Sequence, residues 1–423
     1  MKWLREHLYL YYPVAVFALY FGVEKVFALD SVKILSQSDA TYLFFQYKEE
    51  LLDEMAEVHR RNAAGEPAPV ESEQSADAQA AVADSSDPMA GILAALQPGM
   101  VGGDPGGDID PGEEGFPEDV RAKTMMVLGS SRLLYFDYSR FDRNFPDWEM
   151  FNFSAPVTAP AYYLYILERA LDRGVKPDYL VLETDPFQFN SGSDAFRRSN
   201  LGFSFDFPFI FKYFSHFRRT DVSYFFARNL FAGYRYPPDP ENIRTRLRNS
   251  SHPMLLAVPT LDAYQRANRG AGKNVIPRDS WFERDFATLE LSSERTLGWL
   301  YGNYDLSDRQ FYFFEEILKR AKAEGIPVTL VRPQVSRPMT RMLNTLPRYA
   351  EKIAEWERRA EAIMQRYDAT YLDLSASEDY YCNSFVDGSH MAMDCYHPML
   401  VLVMRQYENL AADQHLESAS QSK

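Results

Sequence analysis

Short apolar segments alternate with amphipathic helical patterns along the carboxyl-terminal part of this chain, and this alternation constrains the fold more than any other feature. The apolar segments lie at 123–128, 179–184, 327–331 and 369–373. Helical periodicity predicts helices at 159–173, 307–325, 348–366 and 398–412. Strands that alternate with helices form a parallel sheet covered on both faces. We therefore expect an α/β fold with a doubly wound, flavodoxin-like parallel sheet in three α/β/α layers.

One long segment interrupts this rhythm. Residues 190–300 are rich in aromatic residues and arginine and show no strand pattern, which predicts a helical insertion within a domain spanning 119–415. The aromatic and basic residues between 213 and 236 either pack on the sheet, which we favour, or lie against a membrane interface. Residues 416–423 are predicted to be a disordered tail.

The negative charge of the chain is concentrated in one stretch. The 59 residues between Arg61 and Arg121 contain no lysine or arginine and 13 acidic residues, out of a net charge of −15. This stretch is poor in aromatic residues, so it cannot bury enough surface to offset its ordering entropy. We predict a disordered acidic linker at 62–118, with an acidic interaction segment as the alternative. The absence of a long basic run excludes a nucleic-acid partner.

The amino terminus carries the pattern of a membrane anchor. Lys2 and Arg5 precede a run of 16 uncharged residues at 8–23. We predict a single anchor over residues 1–29, a juxtamembrane helical segment over 30–61, and a location at the bacterial inner membrane with the domain outside the cytoplasm. A cleaved signal peptide and an amphipathic helix on the domain or on the membrane are the alternatives.

Two segments carry residues suited to nucleophilic catalysis. Gly129-Ser130-Ser131-Arg132 directly follows the first predicted strand, where a tight turn exposes a hydroxyl at the carboxyl end of the sheet. Near the other end of the chain, Asp387 precedes His390 and Asp394 precedes His397, each by three residues. This spacing lets the carboxylate accept the imidazole Nδ1–H and leaves Nε2 free as a general base.

These motifs together resemble those of the SGNH/GDSL-like hydrolase superfamily. The layout is similar to its membrane-anchored branch, which includes the alginate acetylation proteins, the teichoic-acid D-alanylation protein and an uncharacterised bacterial family. The resemblance covers roughly residues 120–190 and 305–412. It implies that Ser131 is the nucleophile and that the acid/base pair is Asp387 with His390 or Asp394 with His397.

The sequence alone leaves two local questions open. Asp387-Gly-Ser-His390-Met is similar to the anchored branch, whereas Asp394-Cys-Tyr-His397-Pro is similar to soluble members, and we favour the former. Cys382 and Cys395, the only cysteines, either form a disulfide in an oxidising compartment or remain as two thiols. A disulfide would brace the loop that carries Asp387 and His390.

The chain departs from the resembled superfamily at the oxyanion hole. The segment Glu183-Thr-Asp185-Pro-Phe-Gln-Phe-Asn190 lacks the expected Gly-x-Asn-Asp block. We therefore expect backbone N–H donors instead, from Ser131 and from Ser154 and Ala155 in a loop near residue 152.

The resemblance implies an esterase or O-acyltransferase that uses a Ser-His-Asp triad on a cell-envelope or exported polysaccharide. The expected partners are a carbohydrate polymer or an acyl donor, a membrane-bound O-acyltransferase, and the membrane through the amino-terminal segment. No cofactor and no metal are expected. The alternative is a non-catalytic envelope scaffold that binds the polymer or recruits the acyltransferase.

Overall fold

A computed structural model describes most of the chain. The described residues are 8–27, 43–65, 122–134, 136–194, 196–249 and 284–421, with residues 29, 32, 33 and 35. Nearly all of the predicted acidic linker at 62–118 lies outside these residues.

The secondary structure of the described residues alternates as the sequence predicts. The strands are β1 (Lys123–Leu128), β2 (Trp148–Asn152), β3 (Tyr179–Glu183), β4 (Val328–Arg332) and β5 (Thr370–Asp373). The helices are α1 (Leu8–Phe27), α2 (Leu43–Gln46), α3 (Lys48–Ala64), α4 (Tyr138–Asn144), α5 (Pro160–Asp172), α6 (Phe207–Lys212), α7 (Arg219–Leu230), α8 (Ala232–Arg235), α9 (Pro240–Arg248), α10 (Phe286–Leu300), α11 (Asp308–Glu324), α12 (Arg337–Thr345), α13 (Pro347–Arg366) and α14 (Tyr396–Gln421).

The described strands form one sheet in the order β2-β1-β3-β4-β5, and every pair in it is parallel. Helices surround this sheet, which confirms the predicted α/β fold class and fits three α/β/α layers. The register aligns Val127 with Asn152 and with Val181, so the carboxyl ends of β1, β2 and β3 lie side by side. Ligand sites of such sheets lie at this edge.

Local sequence signals account for the positions of the helices. Ser307 caps the start of α11 by accepting a hydrogen bond from the N–H of Gln310, and Gly325 ends it with a φ of +64°. On the face of the sheet toward α14, Met125 and Val127 of β1 share a buried core with Val403. Met125 and Val127 are two residues apart in β1, so their side chains lie on the same face of the sheet.

Strand β2 and the length of α14 differ from the sequence prediction. Trp148–Asn152 was not predicted as a strand, because a single edge strand containing Glu149 has too little apolar character to stand out. Helix α14 continues to Gln421, beyond the predicted end at 412 and into the segment predicted to be a disordered tail.

The chain divides into two compact units. The first comprises residues 1–46 and 194–265, and the second comprises residues 47–193 and 266–423. The predicted insertion at 190–300 is therefore shared between them, because α6–α9 belong to the first unit and α10 belongs to the second. No strand occurs among the described residues 196–249, and residues 250–283 of the predicted insertion lie outside the described residues.

The second unit includes part of the segment predicted to be juxtamembrane. Helix α3 packs on α5 through an ion pair of 2.9 Å between Glu49 and Arg169. Lys48 is buried, and its Nζ donates to the carbonyl of Asn152 at 3.1 Å, at the end of β2. Burial lowers the pKa of Lys48 to about 7.

None of the described helices combines the length and the apolar character needed to cross a membrane. The anchor predicted over residues 1–29 stays a prediction, and residues 1–7 and 28 of that segment lie outside the described residues.

Candidate active site

A tight turn after β1 presents Ser131. β1 ends at Leu128, and Ser131 begins a short 3-10 helix. Gly129 is required between them, because a Cβ there would lie 2.8 Å from Leu133 Cβ and 2.8 Å from Ser154 Oγ. The turn thus depends on close backbone packing at the carboxyl end of the sheet.

A buried carboxylate holds this turn in place. The Ser130 hydroxyl donates to Glu183 Oε1 at 2.8 Å, and the Ser130 N–H donates to the other oxygen of the same carboxylate. Both residues are almost fully buried. With Ser130 fixed inward, the half-buried Ser131 is the serine left at the surface of the turn.

Three residues from two distant parts of the chain meet at this point. His390 Nε2 lies 2.8 Å from Ser131 Oγ, and His390 Nδ1 lies 2.8 Å from Asp387 Oδ2. The chain thus places a hydroxyl, an imidazole and a carboxylate in hydrogen-bonded series, which is the arrangement of a nucleophile, its general base and the group that orients the base.

The loop between Asp387 and His390 is folded around the Asp387 carboxylate. Its Oδ1 accepts the N–H of Ser389 at 2.7 Å and the N–H of His390 at 2.9 Å. Burial works to raise the pKa of Asp387, but His390 and these two N–H groups outweigh it and hold the pKa well below its usual range. The ionised carboxylate keeps the Nδ1–H tautomer of His390, so Nε2 faces the Ser131 hydroxyl as an acceptor.

A small cleft opens beside Ser131 and His390. Its volume is about 150 Å³. It is lined by Ser130, Ser131, Arg132, Val157, Phe187, Thr296, Trp299, Leu300, Asp387, Ser389 and His390. Three of these residues come from α10, which the sequence placed in the insertion and not at the site. No local motif marks them, so sequence reasoning could not have found them.

Helix α10 also supports the loop that carries Asp387 and His390. The N–H of Gly388 donates to Ser292 Oγ at 2.6 Å, and its carbonyl accepts the N–H of Ser336 at 3.1 Å. A Cβ at Gly388 would lie 2.7 Å from the Cα of Ser293, so a larger residue there would push the loop away from α10. The Asp-Gly-x-His motif therefore needs its glycine for packing.

The second Asp-x-x-His pair lies away from Ser131. Asp394 is exposed, and His397 Nε2 lies 3.5 Å from the side chain of Asn144 in α4. Burial and Arg140 lower the pKa of His397. This geometry leaves Asp387 and His390 as the pair that meets the serine.

Comparison with known proteins places the chain in a family. A family model matches residues 4–66 and 113–407, which is most of the chain. The chain belongs to the DUF1574 family. The description of this family is a protein of unknown function. No curated protein sequence matches the chain. The unmatched residues 67–112 fall within the predicted acidic linker, and the matched segments carry the whole of the site described above.

Two of the predicted oxyanion donors of this DUF1574 protein already have acceptors. The N–H of Ser154 donates to Asn152 Oδ1 at 3.0 Å, and the N–H of Ala155 donates to the carbonyl of Gly129 at 3.1 Å. The N–H of Ser131 donates no hydrogen bond to any described residue. In this conformation, Ser131 supplies the available N–H at the candidate oxyanion position.

Arg132 forms a buried ion pair beneath the cleft. Its Nη1 binds Asp185 Oδ2, and both side chains are at least 96% buried. Asp185 Oδ1 accepts the hydroxyl of Tyr301 at 2.9 Å, and the guanidinium lies 4.7 Å from the ring of Phe187. Burial works to lower the pKa of Arg132, but Asp185, Tyr301 and Glu183 raise it above its ordinary value. Arg132 therefore stays charged and fixes the turn that carries Ser131.

The buried Glu183 is expected to make stability depend on pH. Burial raises its pKa to about 7, although Arg132 and the hydrogen bonds from Ser130 lower it. The native state therefore holds a proton that the unfolded chain releases near pH 4.5, so the free energy of unfolding should fall as pH rises from about 5 to 7. Between about pH 5 and 7, the free energy of unfolding should fall by about 1–3 kcal/mol more in the wild-type protein than in Glu183→Gln. Urea unfolding across that pH range measures both proteins. Parallel pH curves for the two proteins would contradict the expectation.

The two cysteines lie on either side of the loop that carries Asp387 and His390. Cys382 and Cys395 form a disulfide with a Cα–Cα distance of 5.5 Å, and the bridge spans Asp387 and His390. The two cysteines therefore lie at the distance that the predicted disulfide requires.

Proposed function

We propose that this protein is a serine esterase or O-acyltransferase of the SGNH-like type. The observation that carries the proposal is the hydrogen-bonded series from Ser131 Oγ through His390 to Asp387, with both hydrogen bonds 2.8 Å long. The position of Ser131, directly after a strand at the carboxyl edge of a parallel sheet, adds support. The identity of the superfamily remains part of this proposal.

The geometry suits a two-step acyl transfer. In the first step Ser131 Oγ attacks the carbonyl carbon of an acyl ester, and His390 Nε2 takes the hydroxyl proton. His390 then gives that proton to the departing alcohol oxygen, which leaves the acyl group on Ser131. The ionised Asp387 holds the imidazole in place and stabilises the imidazolium formed between the two proton transfers.

The second step releases the acyl group. Water or the hydroxyl of an acceptor attacks the acyl carbon, and His390 Nε2 takes its proton. The bond to Ser131 Oγ breaks, and His390 returns the proton to that oxygen. Water gives an esterase, and an acceptor hydroxyl gives an O-acyltransferase. The N–H of Ser131 donates to the oxyanion in each step.

The size of the cleft bears on the substrate. A volume of about 150 Å³ is well below that of a site for a drug-sized ligand, so the cleft fits a short acyl chain and excludes a sugar polymer from its interior. We propose that the acyl group is small and that a cell-envelope or exported polysaccharide, the acceptor or donor, lies outside the cleft. A membrane-bound O-acyltransferase is proposed as a partner. The Cys382–Cys395 disulfide supports a location in an oxidising compartment outside the cytoplasm.

Covalent labelling tests the proposed function. A fluorophosphonate probe should label the full-length protein at Ser131, because an activated serine attacks the phosphorus of the probe. Ser131→Ala should remove the label. His397→Ala serves as the matched control and should keep it, since His397 belongs to the Asp-x-x-His pair that lies away from Ser131. Absence of labelling in the wild-type protein, or labelling that survives in Ser131→Ala, would contradict the proposal.

A non-catalytic scaffold is the second candidate. The observation that favours it is that the N–H groups of Ser154 and Ala155 already have acceptors, which leaves few donors for an oxyanion. A scaffold would bind the polymer or recruit an acyltransferase without reacting with the probe. A wild-type protein that binds polysaccharide but shows neither labelling nor turnover of activated esters would favour the scaffold.

A further inference from the structure

The first structural unit has an unusual composition. Its described insertion segment, residues 194–249, contains 15 aromatic residues, and its ten lysines and arginines outnumber five aspartates and glutamates. The whole chain carries a net charge of −15, so this segment is a basic region in an acidic protein. Local positive charge combined with aromatic residues is typical of surfaces that bind anionic membranes.

Large apolar side chains of this segment are exposed. Phe211 is 58% exposed, Leu230 is 60% exposed and Phe231 is 41% exposed. Isolated exposed apolar residues are common, but a contiguous group of them marks an interaction surface.

These side chains form one continuous strip. Phe211 lies 6.1 Å from the ring of Phe226, and Phe226 lies one turn before Leu230 on the same face of α7. Phe231 follows Leu230 directly, and its ring lies 6.0 Å from that of Tyr20 in α1. The strip therefore runs from α6 along α7 to α1 within a single compact unit.

Helix α1 extends this strip. Its exposed large apolar side chains are Tyr12, Val14, Val16, Phe17, Leu19, Tyr20, Phe21, Val23 and Val26. The helix is joined to α8 by a hydrogen bond of 3.1 Å from the N–H of Gly233 to Glu24 Oε2. Tyr20 is the apolar side chain of α1 whose ring contacts Phe231. We call the continuous group of Phe211, Phe226, Leu230, Phe231 and Tyr20 the apolar strip.

Basic side chains border the apolar strip. Lys212 is exposed directly after Phe211, and Arg219 is exposed seven residues before Phe226, two turns away on the same face of α7. Lys25 is exposed near the end of α1. Such a border complements anionic headgroups when apolar side chains enter the boundary between headgroups and acyl chains.

We propose that the apolar strip is a membrane-binding surface that inserts Phe231 and its neighbours into the interface of an anionic phospholipid bilayer. The strip lies in the first unit, and the proposal does not depend on the activity of Ser131. It accounts for two features of one unit together, namely the contiguous exposed apolar side chains and the excess of positive charge around them.

Fluorescence quenching tests the contact at a single position. Phe231→Trp in the full-length protein should gain tryptophan fluorescence that vesicles of phosphatidylglycerol and brominated phosphatidylcholine quench. The matched control is Leu291→Trp, which places a tryptophan at an exposed leucine of α10 in the second unit. Each variant is compared with the wild-type protein, which already contains five tryptophans. If the two introduced tryptophans added equal quenching to that of the wild-type protein, Phe231 would not enter the bilayer and the proposal would be wrong. This would hold even if the protein bound vesicles through α1.

Vesicle sedimentation tests the role of charge and separates lipid from protein partners. Lys212→Gln and Arg219→Gln should each weaken binding to phosphatidylglycerol vesicles about fivefold and leave binding to neutral vesicles unchanged. Leu230→Ser with Phe231→Ser should weaken binding to both kinds of vesicle by tenfold or more, whereas Leu291→Ser should have no effect. If the double serine variant lost association with native membranes but bound protein-free vesicles normally, a membrane protein would be the partner and the lipid proposal would be wrong.

Discussion

Replacing Ser131 with alanine is expected to lower the turnover of an activated acetyl ester by roughly four to six orders of magnitude. His390→Ala should have an effect of the same size, because the hydroxyl is not activated without the base 2.8 Å away. The double variant should be no slower than either single variant, since the residues act as one unit. The measurement is kcat/KM for the full-length protein, with the thermal midpoint of each variant recorded alongside.

The second Asp-x-x-His pair supplies the control for this experiment. Asp394→Asn and His397→Ala should leave kcat/KM within a few fold of the wild-type value, because neither side chain reaches Ser131. Asp387→Asn should cost about 10⁴-fold, since an amide in that place no longer selects the Nδ1–H tautomer of His390. A large loss in His397→Ala with the thermal midpoint unchanged would move the general base to the second pair.

Breaking the buried ion pair beneath the cleft is expected to cost about 3–5 kcal/mol in the free energy of unfolding. Arg132→Leu leaves the Asp185 carboxylate buried without its ion-pair partner. Asp185→Leu leaves the Arg132 guanidinium buried without its partner. The double variant should be more stable than the sum of the two losses predicts, because it removes both charges together. Denaturant unfolding of the four proteins measures this coupling.

A surface ion pair provides the comparison for that cycle. Arg359 and Asp308 lie 2.7 Å apart, and the Asp308 side chain is almost fully exposed. Arg359→Ala should therefore change the free energy of unfolding far less than Arg132→Leu does, since solvent screens the partner left behind. Equal losses in the two variants would show that the burial of Arg132 and Asp185 contributes nothing beyond an ordinary ion pair.

Local signals in the sequence were enough to predict most of the fold. The strand at 123–128 has the same bounds in the structure, and the helix predicted at 307–325 differs only in its capping residues. Both predictions rest on interactions between near neighbours in sequence, namely side-chain periodicity and caps. Strand β2 was not predicted from the sequence. Its five residues at the edge of the sheet take their strand conformation from pairing with β1, and that pairing has no local signature.

The sequence also identified part of the candidate site. The turn at Ser131 and the two Asp-x-x-His motifs are local patterns, so the sequence by itself determined which residues could take part. It could not decide which histidine meets the serine, because Ser131 and His390 are 259 positions apart in the sequence and meet only in the folded chain.

The remaining features of the site were decided by tertiary structure alone. Thr296, Trp299 and Leu300 line the cleft because α10 packs against the loop at Gly388, and no motif in α10 marks that contact. The N–H groups of Ser154 and Ala155 are taken by acceptors within the fold, which residue types do not reveal. The sequence determined most of the elements and the chemical groups through interactions between neighbouring residues. Only the tertiary structure decided which groups meet, because long-range packing sets their distances and occupies their hydrogen-bonding capacity.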